Sequence, residues 1–242
     1  MKKSIAMLFG VLSIATAANA QFSSEKIKGN GNVIKKNVTT PNYEKVMVSG
    51  FFDVDLVAGK EGKIAVEGEE NLLQHLKIEV ADNVLTIGTQ KGKRISPSFG
   101  KKITITVPFE SLNEVSLSGS GDVNSKSTIK SPEFRTTLSG SGDIQLSIDA
   151  QKTTAKVTGS GNMKLNGKSG DFSCDLTGSG DLDAFNLKSG NVDSSLTGSG
   201  NCKVYCTGFL QARITGSGDI DYKGDPKKKD TKVHGSGSIS KA

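Results

Sequence analysis

Apolar and polar residues alternate with a period of two along the second half of the chain, and the alternation is tied to a repeated tripeptide. Apolar side chains stand two positions before and four positions after the first glycine of each Gly-Ser-Gly, as Leu176 and Leu182 do around Gly178. Every second side chain therefore faces one side, which indicates β-strands with a single buried face. The seven triplets begin at Gly119, Gly140, Gly159, Gly178, Gly198, Gly216 and Gly235.

The regular spacing of the triplets predicts the architecture. Successive triplets are 21, 19, 19, 20, 18 and 19 residues apart, and a fixed period of this size is typical of a solenoid. Glycine suits the corners, because it adopts positive φ and allows stacked backbones to approach closely. We therefore predict an all-β fold: a single-chain β-helix with coils of about 19 residues and Gly-Ser-Gly corners, capped by a less regular N-terminal β region.

The first half of the chain lacks the triplet but keeps short runs of β-type residues. We predict strands at 46–48, 54–56, 64–66, 84–87 and 103–107. A helical turn is expected within 69–76 and a loop over 91–102. We interpret residues 43–115 as irregular coils that cover one end of the stack formed by residues 116–239. An independent β-sandwich is the alternative.

The N-terminus has the organisation of a secretory signal peptide over residues 1–20. Lys2 and Lys3 precede an apolar run from Ile5 to Ala17, and Ala18-Asn19-Ala20 forms a cleavage site. The run is too short to span a membrane, and we expect no transmembrane segment in the mature chain. The protein is therefore expected to be exported, to the periplasm, the outer membrane or the exterior. The polar residues 21–42 are expected to form a flexible leader.

Composition and charge exclude several classes of protein. The net charge of +6 falls to +4 without Lys2 and Lys3, and there is no Trp. Basic residues are not interleaved with aromatics, so we expect no nucleic-acid partner. The lysines at 227–229 are interpreted as a solvated turn. Cys174, Cys202 and Cys206 lack metal-site spacing and are expected to be small buried core residues, so we predict neither metal nor cofactor. The alternative for Cys174 is a disulfide with Cys202 or Cys206 across the core.

Two outward columns are the candidate contact face. At the first six triplets, the residue one position before the triplet carries a hydroxyl group, and the residue three positions after its first glycine carries a carboxylate or an amide; at the seventh these positions are His234 and Ser238. The two columns suit hydrogen bonding to a glycan or another repetitive envelope component, with a gain from multivalency. The candidate residues are Ser118, Ser139, Thr158, Thr177, Thr197 and Thr215, together with Asp122, Asp143, Asn162, Asp181, Asn201 and Asp219.

Each column also has a plainer interpretation. Thr is common in strands, and Asp or Asn side chains cap backbone N–H groups at turns. Asp122 and Asp143 would be direct neighbours and repel by about 1 kcal/mol in water. A calcium ladder would relieve this repulsion, but the period is about twice that of the calcium-binding nonapeptide repeat, so we expect little calcium dependence.

The candidate residues belong to the repeat, whereas a catalytic site is expected to interrupt it. The arginines are few, at positions 94, 135 and 213, and no catalytic cluster is evident. We therefore predict a non-enzymatic surface-binding protein. The alternatives are an envelope scaffold that self-associates through the ends of the solenoid, and a polysaccharide-active β-helix enzyme.

The sequence resembles the head GIN domain family, exported bacterial proteins labelled autotransporter adhesins. The resemblance rests on GNGNV at 29–33, VSGFFDV at 48–54, EGEENLL at 67–73 and the repeated Gly-Ser-Gly-Asp/Asn, and it covers residues 43–239. The resemblance implies a β-helical fold, a location in the cell envelope and an adhesin-like role. It implies no catalytic residues.

Overall fold

The computed structural model of the chain describes residues 25–242, and the predicted signal peptide lies outside them. In chain order the strands are β1 (Glu25–Lys28), β2 (Val33–Thr39), β3 (Lys45–Gly50), β4 (Asp53–Ala58), β5 (Lys63–Glu69), β6 (Leu76–Ala81), β7 (Val84–Thr89), β8 (Lys93–Ser96), β9 (Thr104–Phe109), β10 (Glu114–Gly119), β11 (Asp122–Ser125), β12 (Ile129–Gly140), β13 (Asp143–Gly159), β14 (Asn162–Gly178), β15 (Leu182–Gly198), β16 (Cys202–Cys206), β17 (Phe209–Gly216), β18 (Ile220–Lys223), β19 (Lys228–Gly235) and β20 (Ile239–Lys241). The helical turn α1 (Glu70–Leu73) follows β5.

The second half of the chain is a parallel β-solenoid with one coil per sequence repeat. The strands of successive coils pair in parallel, and the first glycines of all seven triplets are register partners from one coil to the next. The predicted stacking of the triplets and the predicted fold class are therefore confirmed. We call one turn of the solenoid a rung.

The corners are held by shared backbone hydrogen bonds. The carbonyl oxygen of Gly159 accepts the N–H groups of Ser179 and Gly180 on the next rung, at 3.0 and 3.1 Å. Gly178 has φ +126°, a conformation that other residues rarely adopt. A Cβ atom on Gly180 would overlap the carbonyl oxygen of Gly161. The triplet sequence thus follows from the backbone geometry and the close approach of adjacent rungs.

The interior is filled by the predicted apolar columns. The residues two positions before each triplet are buried from Leu117 to Ile214, and so are those four positions after its first glycine from Val123 to Ile220. Val233, on the last rung, is 38% exposed. A further inward column, four positions before each triplet, contains two buried polar residues, Thr136 and Ser194.

The three cysteines are free and buried, as the sequence predicts. The Sγ atoms of Cys174 and Cys202 lie 3.7 Å apart in the core. This contact and burial together raise the pKa of Cys174. The thiols therefore act as small apolar side chains of the inward columns.

The N-terminal region continues the same sheet, so the β-sandwich alternative is wrong. The five strands predicted there correspond to β3, β4, β5, β7 and β9. Gly50 pairs with Gly119 and Asp53 with Asp122, which makes Ser49–Asp53 a corner of the solenoid without the triplet sequence.

The order of coils at this end differs from their order in the chain. The coil formed by β3 and β4 lies between two later coils, with β7 and β9 on one side and β10 and β11 on the other. Beyond this coil, β6 pairs antiparallel with β7, β5 pairs antiparallel with β9, and β2 pairs antiparallel with β5. These antiparallel strands cap the stack, as the predicted N-terminal cap requires.

The prediction of a flexible leader was wrong for the described part of 21–42. Strand β2 joins the cap, and β1 pairs in parallel with β8, which itself lies within the predicted loop 91–102. The buried carboxylate of Glu69 holds these segments together: it accepts hydrogen bonds from the N–H of Gly31 at 2.5 Å and from the N–H and hydroxyl of Ser98 at 2.8 and 2.5 Å. The sequence did not predict these strands, because they are polar and because the strands they pair with are distant in the chain.

The C-terminal end of the solenoid is an exposed edge formed by β19 and β20. Lys228 and Lys229 belong to β19, so the prediction of a solvated turn was wrong for these two residues. Lys229 is the register partner of Leu210 in an inward column. Its Nζ atom donates a hydrogen bond of 3.0 Å to the Tyr222 hydroxyl and lies 5.4 Å from the ring centroid. A charged residue at an inward position protects a sheet edge from pairing with another chain.

Candidate functional site

The predicted carboxylate and amide column forms a continuous ladder on the outside of the solenoid. Asn162 donates both its backbone N–H and its side-chain amide to Oδ1 of Asp143, each at 3.0 Å. Asn201 makes the same pair of bonds to Oδ1 of Asp181, at 2.8 and 3.1 Å. We call this column the Asx ladder; it comprises Asp53, Asp122, Asp143, Asn162, Asp181, Asn201 and Asp219.

The ladder explains why the corner is followed by Asp or Asn. From Asp143 to Asp219, each short side chain accepts a hydrogen bond from the backbone N–H of the next rung, so the plainer interpretation of this column, capping of N–H groups, is confirmed for these rungs. The alternation of acid and amide from Asp143 onward also separates the negative charges. Within residues 25–242 the Oδ2 atoms of Asp143 and Asp181 make no hydrogen bond and remain available to a ligand.

Three carboxylates are adjacent at the start of the ladder. Asp53, Asp122 and Asp143 occupy successive rungs, and Lys102 forms an ion pair with Asp53 at 2.5 Å. Desolvation and then the charges of Asp53 and Asp143 raise the pKa of Asp122. The predicted repulsion is therefore present, and Lys102 compensates it in part.

A second outward column runs beside the Asx ladder, two residues further along each strand. Its members are Asn124, Gln145, Lys164, Asp183, Lys203 and Asp221. The sequence analysis did not single out these residues, although their outward position in the strand alternation was a usable signal.

A shallow groove of about 500 Å³ runs along the surface where the two columns meet. Its lining extends over five rungs, from Asp122 to Asn201 on the ladder and from Asn124 to Lys203 on the second column. The core residues Ile144, Met163 and Leu182 contribute to its floor. The groove therefore offers acids, amides and lysines along one line.

The hydroxyl column lies on the other side of the corner. Ser118, Ser139, Thr158, Thr177, Thr197 and Thr215 are stacked and exposed, as the register predicts. None of them lines the groove. The structure thus brings each predicted column together, but it does not combine the two in one concave site.

An aromatic residue interrupts the repeat next to the groove. Register between β15 and β16 shifts after Ala184, where β15 contains Phe185. The ring is half-buried, with Nζ of Lys223 at 4.2 Å and Nζ of Lys203 at 5.8 Å from its centroid. Phe185 therefore anchors one groove lysine by a cation–π contact.

Between residues 25 and 242, no group of three or more His, Cys, Asp or Glu side chains is arranged to hold a metal ion. In the same range no helix has the length and apolar character needed to cross a membrane.

The stacked parallel coils with an external Asx ladder define a β-solenoid protein. The chain belongs to the head GIN domain family: residues 42–226 match the family described as "Putative auto-transporter adhesin, head GIN domain". No curated protein matches the chain.

Solved structures share the fold over nearly the whole described chain. A protein from Bacteroides fragilis, described as a putative adhesin, is 26% identical with a TM-score of 0.82, over 89% of this chain and 100% of that one. One from Parabacteroides distasonis, described as a putative lipid binding protein, is 25% identical with a TM-score of 0.74, over 90% and 100%. A putative adhesin from Parabacteroides merdae is 24% identical with a TM-score of 0.70, over 90% and 99%.

Proposed function

We propose that the protein is an exported, non-enzymatic binding module of the cell envelope, with an adhesin-like role. Its polar outer face, formed by the Asx ladder and the hydroxyl column, contacts a glycan or another repetitive envelope component. The observation that carries this proposal is the ladder itself, which presents the same hydrogen-bonding groups at intervals of about 4.8 Å. Many weak contacts with a repeating partner add up through multivalency.

The comparisons support the adhesin-like role through names alone. The family and the Bacteroides fragilis protein carry the adhesin description. The relative described as lipid-binding makes a lipid partner worth testing alongside glycans. The signal peptide predicted from residues 1–20 supports export.

A non-enzymatic role is favoured by how the acids are used. The ladder carboxylates bond to backbone N–H groups of the next rung, and the same arrangement recurs from rung to rung. Arg135 lines a separate groove with Glu114 and Glu133, and Arg213 is paired with Asp230. A catalytic site needs side chains with different roles, whereas the repeat places side chains with the same role on every rung.

The experiment is a binding screen of the purified chain against envelope glycans, lipid vesicles and intact cells. Gln145→Trp fills the groove and Thr177→Trp obstructs the hydroxyl column, while neither residue takes part in the ladder bonds. Gln151→Trp, at an exposed position away from the groove, is the matched control.

We expect a ligand whose binding is lost in Gln145→Trp or Thr177→Trp and retained in Gln151→Trp. Binding that is unaffected by both face variants would overturn the proposal. A chain that binds nothing in the panel but self-associates would support the scaffold alternative instead.

A further inference from the structure

Over its last three rungs, from Asn162 to Lys203, the groove alternates between cationic and acidic rungs. Read across the two columns, successive rungs present Asn162 with Lys164, Asp181 with Asp183, and Asn201 with Lys203. The two lysines are thus separated by two sheet spacings, about 9.6 Å. The cationic rungs of Lys164 and Lys203 therefore lie on either side of the acidic rung of Asp181 and Asp183, whereas the first two rungs of the groove carry no lysine.

Within the described residues, neither lysine forms an ion pair with Asp183, the second-column acid that lies between them. Asp183 is turned toward the backbone, where its Oδ1 accepts the N–H of Phe185 at 3.1 Å. Among residues 25–242, Lys164 has no ion-pair partner, and Lys203 makes only the cation–π contact with Phe185. The groove therefore presents two free ammonium groups on a regular spacing.

The intervening rung favours hydroxyl donors. The Oδ2 atom of Asp181 is free, and carboxylates accept hydrogen bonds but do not donate them. The same acids, with Asp143, repel a chain that is negatively charged at every unit. A nucleic acid or a polyphosphate, uniformly charged, is a poor fit for this reason.

We propose that the groove binds a linear acidic polysaccharide with one carboxylate in each disaccharide, lying along the solenoid axis with its repeat matched to two rungs. An extended β-linked glycan repeats every two sugars over a comparable length, and its hydroxyl groups meet the acidic rung. This inference rests on the proposed function, because it specifies the ligand of that face. The two lysines lie two spacings apart, about 9.6 Å, which matches the distance between the carboxylates of consecutive disaccharides.

The experiment measures binding by calorimetry for hexasaccharides of matched length. The probes are an alternating glucuronic acid–N-acetylglucosamine hexamer, the neutral hexamer of N-acetylglucosamine, and a hexamer of galacturonic acid with a carboxylate on every sugar. We expect the alternating hexamer to bind about tenfold more tightly than either of the others, and its disaccharide to bind about tenfold more weakly than the hexamer.

The lysines are tested by Lys164→Gln and Lys203→Gln, with the exposed Lys168→Gln as the matched control outside the groove. Each groove variant is expected to weaken binding of the alternating hexamer by about threefold, and the double variant to lose the preference over the neutral hexamer. Thermal melts confirm that the variants are folded.

Equal affinity for the three hexamers, or groove variants that behave as Lys168→Gln does, would overturn this inference. That result leaves the proposed function standing if Gln145→Trp still abolishes binding of another envelope component. Failure of the whole screen would instead count against both.

Discussion

Asp122 and Asp143 are register partners on adjacent rungs, so two carboxylates are stacked directly on one another in the Asx ladder. From Asp143 onward the ladder alternates acid and amide, whereas Asp122 and Asp143 are two acids on adjacent rungs. We predict that Asp122→Asn raises stability by a few tenths of a kcal/mol to about 1 kcal/mol at pH 7, the lower end being expected because the site is exposed.

The gain from Asp122→Asn should depend on pH. The folded-state pKa of Asp122 is raised, so its charged form costs stability above the ordinary carboxyl range and the cost disappears as pH falls below it. Melts from pH 3 to pH 8 should therefore converge with those of the parent at the acidic end. Asp181→Asn is the control, because its ladder neighbours Asn162 and Asn201 are neutral, and we expect no gain from it. A less stable Asp122→Asn at pH 7 would contradict the prediction.

The Glu69 carboxylate should make the docking of the first two strands sensitive to acid. Hydrogen bonds from Ser98 hold its pKa below the usual range, so its contribution is complete above about pH 4.3 and is lost as pH falls through the folded-state pKa. Glu69→Gln places an amide NH₂ against N–H donors, and we expect a loss of about 1–3 kcal/mol at pH 7.

The measurement for Glu69 is chemical denaturation of parent and variant at several pH values. The difference between them should shrink toward pH 3, since protonation removes the same interaction from the parent. Glu70→Gln, at an exposed neighbour, is the control and should remain close to the parent. A constant difference across the pH range would show that the charge is not what matters.

Lys229 should keep the C-terminal edge monomeric. Lys229→Leu extends the inward column of Leu210 to the open edge and removes the charge over Tyr222, so we predict concentration-dependent self-association. Light scattering after size-exclusion chromatography measures it. Lys232→Leu, at an outward position on the same strand, makes the same change in composition and should stay monomeric. Equal association of both variants would show that added surface hydrophobicity, and not the inward position of Lys229, causes the self-association.

A buried hydroxyl group offers a stabilising substitution. Oγ1 of Thr136 has no hydrogen-bond partner among the described residues, and its neighbours in the inward column are Val115 and Ala155. Thr136→Val keeps the shape and removes the unpaired polar group, and we expect a gain of about 1 kcal/mol in the free energy of unfolding. Thr137→Val, the next residue with its side chain on the opposite face, should change little. A destabilised Thr136→Val would indicate that the hydroxyl is satisfied by solvent.

The repeated half of the structure was predictable because its signals are local. A triplet such as Gly178–Gly180, with Leu176 before it and Leu182 after it, specifies a corner and two inward side chains at once. The Asx ladder positions also followed from the sequence. Their charge alternation becomes meaningful only when Asn162 and Asp143 are known to be in contact.

The N-terminal corner and the groove could not be predicted, because neither shows a regular spacing in the sequence. Ser49–Asp53 is a corner, yet Phe51 and Phe52 replace the Ser-Gly of the triplet, so its register with Gly119–Asp122 was hidden. The groove was missed because its second column varies from Gln145 to Lys164 to Asp183. Outward residues can vary without destabilising the fold, so the second column shows no repeated residue type in the sequence.

The position of the β3–β4 coil between two coils made later in the chain has a consequence for biosynthesis. A chain emerges from the ribosome N-terminus first, and a simple solenoid can add each turn to the one before it. Here residues 45–58 acquire both of their neighbours only after residue 125 has been made. The first coil is therefore complete on both sides only after residues 59–125 have joined the fold, and the later turns are added after that.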